Sequence, residues 1–122
     1  MITEDYVSLE IAKLLKYKGF DEYVTRSYFE NDRCYAPYDP SEVKRKDVIA
    51  IPTLQMAMKW LREEKGIAVI PIISSILDNE KFLWDIEIVV AKTNDTYSQG
   101  WIYENQESAC ESAIKYCLEN LI

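Results

Sequence analysis

The chain has 122 residues, 48% of them hydrophobic and 29% charged, with only 3 Gly and 4 Pro. This is the make-up of one folded domain spanning residues 1–122, and it excludes a linker or a disordered tail. Fourteen Lys and Arg against 21 Asp and Glu leave a formal charge of −7, and histidine is absent. Nucleic acid and anionic membrane surfaces are therefore disfavoured partners, and His-based triads and HExxH-type zinc sites are excluded.

The first predicted element is a helix from Ser8, a good N-cap, to Gly19. Val7, Ile11, Leu14 and Leu15 define its apolar side, and Lys13, Lys16 and Lys18 suit the negative end of its dipole. Gly19 followed by Phe20 has the form of a glycine C-cap with a hydrophobic residue folding back. Periodicity then fails. Tyr23 to Phe29 has strand composition, with Cys34 to Ala36 as an extension of it, and Pro37, Asp39, Pro40 and Ser41 open a long loop that contains Lys44, Arg45 and Lys46.

Pro52 and Thr53 begin a second helix with Leu54, Ala57, Met58 and Leu61 at i, i+3, i+4 and i+7, closed by Gly66. Ile67 to Ile73 is a continuous apolar run interrupted by Pro71, and it is expected to be a largely buried strand with the proline at an edge or bulge. After a turn at Asp78-Asn79, Phe82, Trp84, Ile86, Ile88 and Val90 alternate with Leu83, Asp85, Glu87 and Val89, the period of a strand with one fully apolar face. A turn at Thr93 to Thr96 precedes a short strand at Gly100 to Tyr103. The last helix is capped by Asn105 and carries Cys110, Ala113, Ile114, Cys117, Leu118 and Leu121 on one side.

Together these give the order α-β-α-β-β-β-α. The expected fold is an α+β two-layer sandwich in which about three helices cover a small antiparallel sheet, with Phe82 to Ala91 as its central strand. No basic leader and no run of about 20 apolar residues is present, so a cytoplasmic, membrane-free protein is expected. Cys34, Cys110 and Cys117 lack CxxC spacing. The last two recur at helical spacing as core residues, and no metal, cofactor or structural disulfide is expected.

Candidate chemistry is sparse. Asp85 and Glu87 share one strand face, the minimum for carboxylate acid/base catalysis, although a solvated sheet face has the same pattern. Gly19, Gly66 and Gly100 are isolated, and neither a phosphate loop nor a GxSxG elbow occurs. Lys44 to Lys46 is the one basic run and could touch phosphate, but Glu42 and Asp47 flank it. The most distinctive feature is aromatic: of 9 tyrosines, Tyr23, Tyr28, Tyr35 and Tyr38 fall in one segment with Arg26 and Arg33. Tyr and Arg predominate at interface hot spots, so Arg26, Tyr28, Arg33, Tyr35 and Tyr38 are the expected partner-binding residues, the partner being another protein or a second copy of the chain.

The segments YVSLEIAKLLKYKGFDE, IPTLQMAMKWLREEKGI and ESACESAIKYCLENLI resemble a family of small uncharacterised proteins from phages and integrated elements of gut bacteria. The resemblance covers most of the chain. It implies a mobile-element origin and carries over no catalytic residue. The function expected is that of a non-enzymatic accessory protein acting by protein–protein contact, ahead of a nucleic-acid-associated regulator using the Lys44–Lys46 loop and of a small carboxylate enzyme.

Overall fold

A computed structural model describes residues 4–39, 41, 45–98, 100 and 102–122. The α+β class is as the sequence predicts, and so is the alternation of helices with strands, with three strands where one is expected between the first two helices. The helices are α1 (Leu9–Tyr17), α2 (Leu54–Lys65) and α3 (Gln106–Asn120), and the strands are β1 (Arg26–Phe29), β2 (Cys34–Pro37), β3 (Val48–Ala50), β4 (Ile67–Ile76), β5 (Phe82–Val90) and β6 (Asp95–Ser98). The strands are shared between two antiparallel sheets of three, in the orders β2-β1-β3 and β4-β5-β6. The chain divides into two units, Met1–Ala57 and Met58–Ile122.

In the first unit, α1 starts where the Ser8 hydroxyl accepts the Ile11 N–H at 3.3 Å. It ends in a Schellman turn. Gly19, at φ 98°, donates to the Lys16 carbonyl at 3.1 Å, and the next residue, Phe20, donates to Leu15 at 2.9 Å while its ring is buried. Ile11, Ala12 and Leu15 form the buried stripe of α1, which packs against β3. The sequence shows β1 and β2 as one strand and its extension. In the structure they are two arms of a hairpin, because a four-residue loop from Glu30 to Arg33 reverses the chain between Phe29 and Cys34. β3 was not foreseen at all: Val48-Ile-Ala is too short to display a period, and it is fixed by pairing with β1 from Ser27↔Ala50 to Phe29↔Val48.

α2 is capped by the Thr53 hydroxyl, which accepts the Met56 N–H at 3.2 Å. In the second unit β5 is the central strand, as its alternation requires, and Ile86 and Ile88 are fully buried beneath α3. Asn105 caps α3 by accepting the Ser108 N–H at 2.7 Å. Ala109, Cys110, Ala113, Ile114, Cys117 and Leu118 are the buried side of that helix.

Three expectations need correction here. β4 is an edge strand, and of its apolar run only Ile67 is buried, because that strand has β5 on one side only. The last strand lies earlier than Gly100 to Tyr103: β6 is Asp95–Ser98, and Tyr103 adds a single bridge to Trp84. The three helices do not share one sheet face either, since α3 packs on β4 and β5 and α1 on β3. No helix among the described residues is long and apolar enough to cross a membrane.

Candidate functional site

The residues with the strongest claim to recognition lie on the β1–β2 hairpin. Strand parity decides which side chains meet. Arg26 pairs with Pro37 and Tyr28 with Tyr35 across the hairpin, so all four project from one face, while Ser27 and Ala36 project from the other. The Tyr28 and Tyr35 rings are 4.9 Å apart, tilted by 59°. The Arg26 guanidinium lies over the Tyr35 ring at 4.2 Å and over the Tyr6 ring at 5.1 Å. The Tyr6 hydroxyl in turn shares a hydrogen bond of 3.1 Å with the Thr25 hydroxyl. Tyr6, Thr25, Arg26, Tyr35, Ala36 and Pro37 line an open cleft of about 340 Å³.

Arg26 is half-buried, yet no carboxylate pairs with it among the described residues. Stacking occupies the faces of a guanidinium and leaves its five N–H donors directed outward in the plane. The two rings restrain this cation, and none of its N–H donors is paired with a carboxylate among the described residues. Each cation–ring contact contributes about 0.5–1 kcal/mol where exposed, which restrains the side chain without neutralising it.

The other expected contact residues are placed differently. Tyr38 makes a separate edge-to-face pair with Tyr23 at 5.7 Å, and its N–H donates to Thr25 at 3.3 Å, extending the hairpin by one step. Burial pushes the Tyr38 hydroxyl above its ordinary pKa, and Tyr23, Asp21 and Asp39 add to the effect. Arg33 is the last residue of the Glu30–Arg33 loop, exposed and held at φ 51°. It projects from the hairpin tip and is not part of the ring cluster. Tyr6 was missed because it lies 20 positions before Arg26. What brings it there is a bridge between Tyr6 and Thr53, flanked by hydrogen bonds from Val7 N–H to Pro52 and from Leu54 N–H to Asp5. No spacing in the sequence signals that.

The basic run is partly occupied internally. Lys44 lies outside the described residues, but Arg45 donates through Nε at 3.0 Å and Nη2 at 2.7 Å to the two oxygens of Asp47. That bond holds the Asp47 carboxyl below its usual range, and Asn31 adds a third donor at 3.1 Å. Lys16 donates to the carbonyls of Arg45 and Val48 at 2.7 and 2.6 Å, tying this loop to α1. Asp85 and Glu87 lie on the sheet face opposite α3, half-buried, beside Ile72 and Ile70 of the neighbouring strand. Asp85 spends one oxygen on the Ile86 N–H at 2.7 Å. No group of three or more metal-ligating residues is formed among the described residues.

No family model matches this chain, and no curated protein or solved structure matches it.

Proposed function

We propose that the protein works as an interaction module of mobile-element origin, binding another protein through the β1–β2 face formed by Tyr6, Arg26, Tyr28 and Tyr35. The observation that carries this reading is the Arg26 guanidinium, stacked on two rings and unpaired by any carboxylate of the described residues in a chain with 21 acidic side chains. A guanidinium presented edge-on beside tyrosines in an open cleft suits a carboxylate-bearing polypeptide, because an Arg–carboxylate pair is bidentate and the rings supply contact area at small entropic cost. The nucleic-acid reading is weaker, since Asp47 already occupies Arg45 and the overall charge opposes phosphate.

The test is affinity capture from cells carrying the element, comparing the parent with an Arg26→Ala, Tyr28→Ala, Tyr35→Ala variant that keeps the parent's circular dichroism. A polypeptide retained by the parent and lost by the variant is the expected result. Equal retention by both would sink the proposal, and so would retention of nucleic acid alone.

A further inference from the structure

The apolar face that α3 covers does not stop where α3 starts. Along β5 the inward positions are Phe82, Trp84, Ile86 and Ile88, and only Ile86 and Ile88 are fully buried. Trp84 is bridged to Tyr103, which precedes the helix cap Asn105, and Phe82 lines a cleft with Asn105, Gln106 and Glu107 at the start of α3, with Ile76 as its cross-strand neighbour. A bulge between Ile73 and Ser75 keeps Ile73 and Ile76 on the same side as Trp84 and Phe82. The result is an apolar ledge in which Ile73 is 50% exposed, Ile76 67% and Phe82 45%. Phe82 meets Trp84 edge to face at 6.1 Å. Continuous exposed apolar surface of this kind marks an interaction site rather than scattered surface residues.

Its rim is acidic. Glu80, Glu104 and Glu107 line the cleft of about 370 Å³ beside Phe82 and Trp84, with Lys81 the one cation there. From Met58 onward the chain has six basic and eleven acidic side chains, a net charge of −5.

We infer that this ledge binds a cationic amphipathic helix of another polypeptide. Its apolar side would continue the layer that α3 begins, against Ile73, Ile76, Phe82 and Trp84. Its Lys or Arg residues would meet Glu80, Glu104 and Glu107. A partner helix of acidic character would be repelled, and a second copy of this chain would bring like charge against like. The inference stands apart from the β1–β2 face and does not depend on it.

The experiment uses the full chain and a fluorescently labelled helical peptide of about four turns, with leucines on one side and lysines on the other. A second peptide has glutamates in place of the lysines. Anisotropy titrations should show binding of the lysine peptide, weakened by added salt, and none of the glutamate peptide. Ile76→Ser with Phe82→Ser, both at exposed positions, should weaken binding by about tenfold or more with an unchanged melting temperature. Glu104→Gln with Glu107→Gln should also weaken it and flatten the salt dependence, and this second variant decides the matter should the first fail to fold. Full affinity in either folded variant overturns the inference. So does equal binding of the glutamate peptide, or a concentration-dependent dimer of the parent that Ile76→Ser with Phe82→Ser abolishes, because the occupant would then be a second copy.

Discussion

Arg33 occupies a position that the backbone would rather give to another residue. Two hairpins here use four-residue loops whose last residue is left-handed: Asn94 at φ 60° in one, Arg33 at φ 51° in the other. There the Cβ of any L-residue approaches the following carbonyl at a cost of about 1–2 kcal/mol, which the short amide of asparagine offsets by local hydrogen bonding and the long arginine side chain does not. Arg33→Asn should therefore stabilise the fold by about 1 kcal/mol in chemical denaturation. A destabilised variant would mean that the side chain makes a contact worth more than the strain. The cysteines separate as cleanly. Burial raises the Cys110 and Cys117 thiols to about 11 and about 12, while Cys34 is exposed. Since the thiolate is the nucleophile, a thiol reagent at neutral pH should modify Cys34 rapidly in the native protein and the other two only after denaturation. Rapid native reaction of Cys34→Ser would contradict this.

At the scale of elements, each sheet carries a proline on one of its two edge strands. The Tyr38 N–H bond to Thr25 and the Ala91 N–H bond to Gly66 fix the alternation of each ladder. From these, Pro37 on β2 and Pro71 on β4 both fall where an N–H would point away from the sheet. A proline there removes an outward donor and discourages pairing with a further strand. Pro71→Val restores the row of donors along the ten residues of β4, and light scattering should then show more concentration-dependent self-association than for the parent. An unchanged, monodisperse variant would mean the proline has no such role. On the proposed function, the same geometry favours side chains of the β1–β2 hairpin over main-chain pairing as the means of recognition. Ile88, fully buried at the centre of β5, gives the sharpest test of that sheet. Ile88→Asp would place an unpaired carboxylate beneath α3 and should abolish cooperative thermal unfolding. A parental melt would refute the packing described.

What could be read in advance follows from period and capping. Ser8, Gly19, Thr53, Gly66 and Asn105 punctuate helices whose apolar residues recur every three or four positions, and β5 alternates over its whole length, so these elements were legible. The run from Ile67 misled because continuous hydrophobicity also occurs on an edge strand whose outer part is left open. β3 carries three residues and no period. Of the candidate site, Arg26, Tyr28 and Tyr35 were legible by type. Their shared face follows only from the register of the hairpin, and Tyr6 arrives through tertiary pairing with Thr53.

For the molecule as a whole, charge and exposed surface divide unequally between the two units. Residues up to Ala57 contain eight basic and ten acidic side chains and present arginine on tyrosine, whereas the remainder carries −5 and presents isoleucine and phenylalanine beside glutamate. On the two proposals made above, each unit makes a different contact, and the partners are expected to be polypeptides of opposite local charge. On the proposed function, Arg26 and its rings bind one of them. The most direct measurement is the dissociation constant of the captured partner for the parent and for Arg26→Ala with Tyr35→Ala, at matched folding. A loss of about thirtyfold or more is expected. An unchanged constant in a folded variant would contradict it.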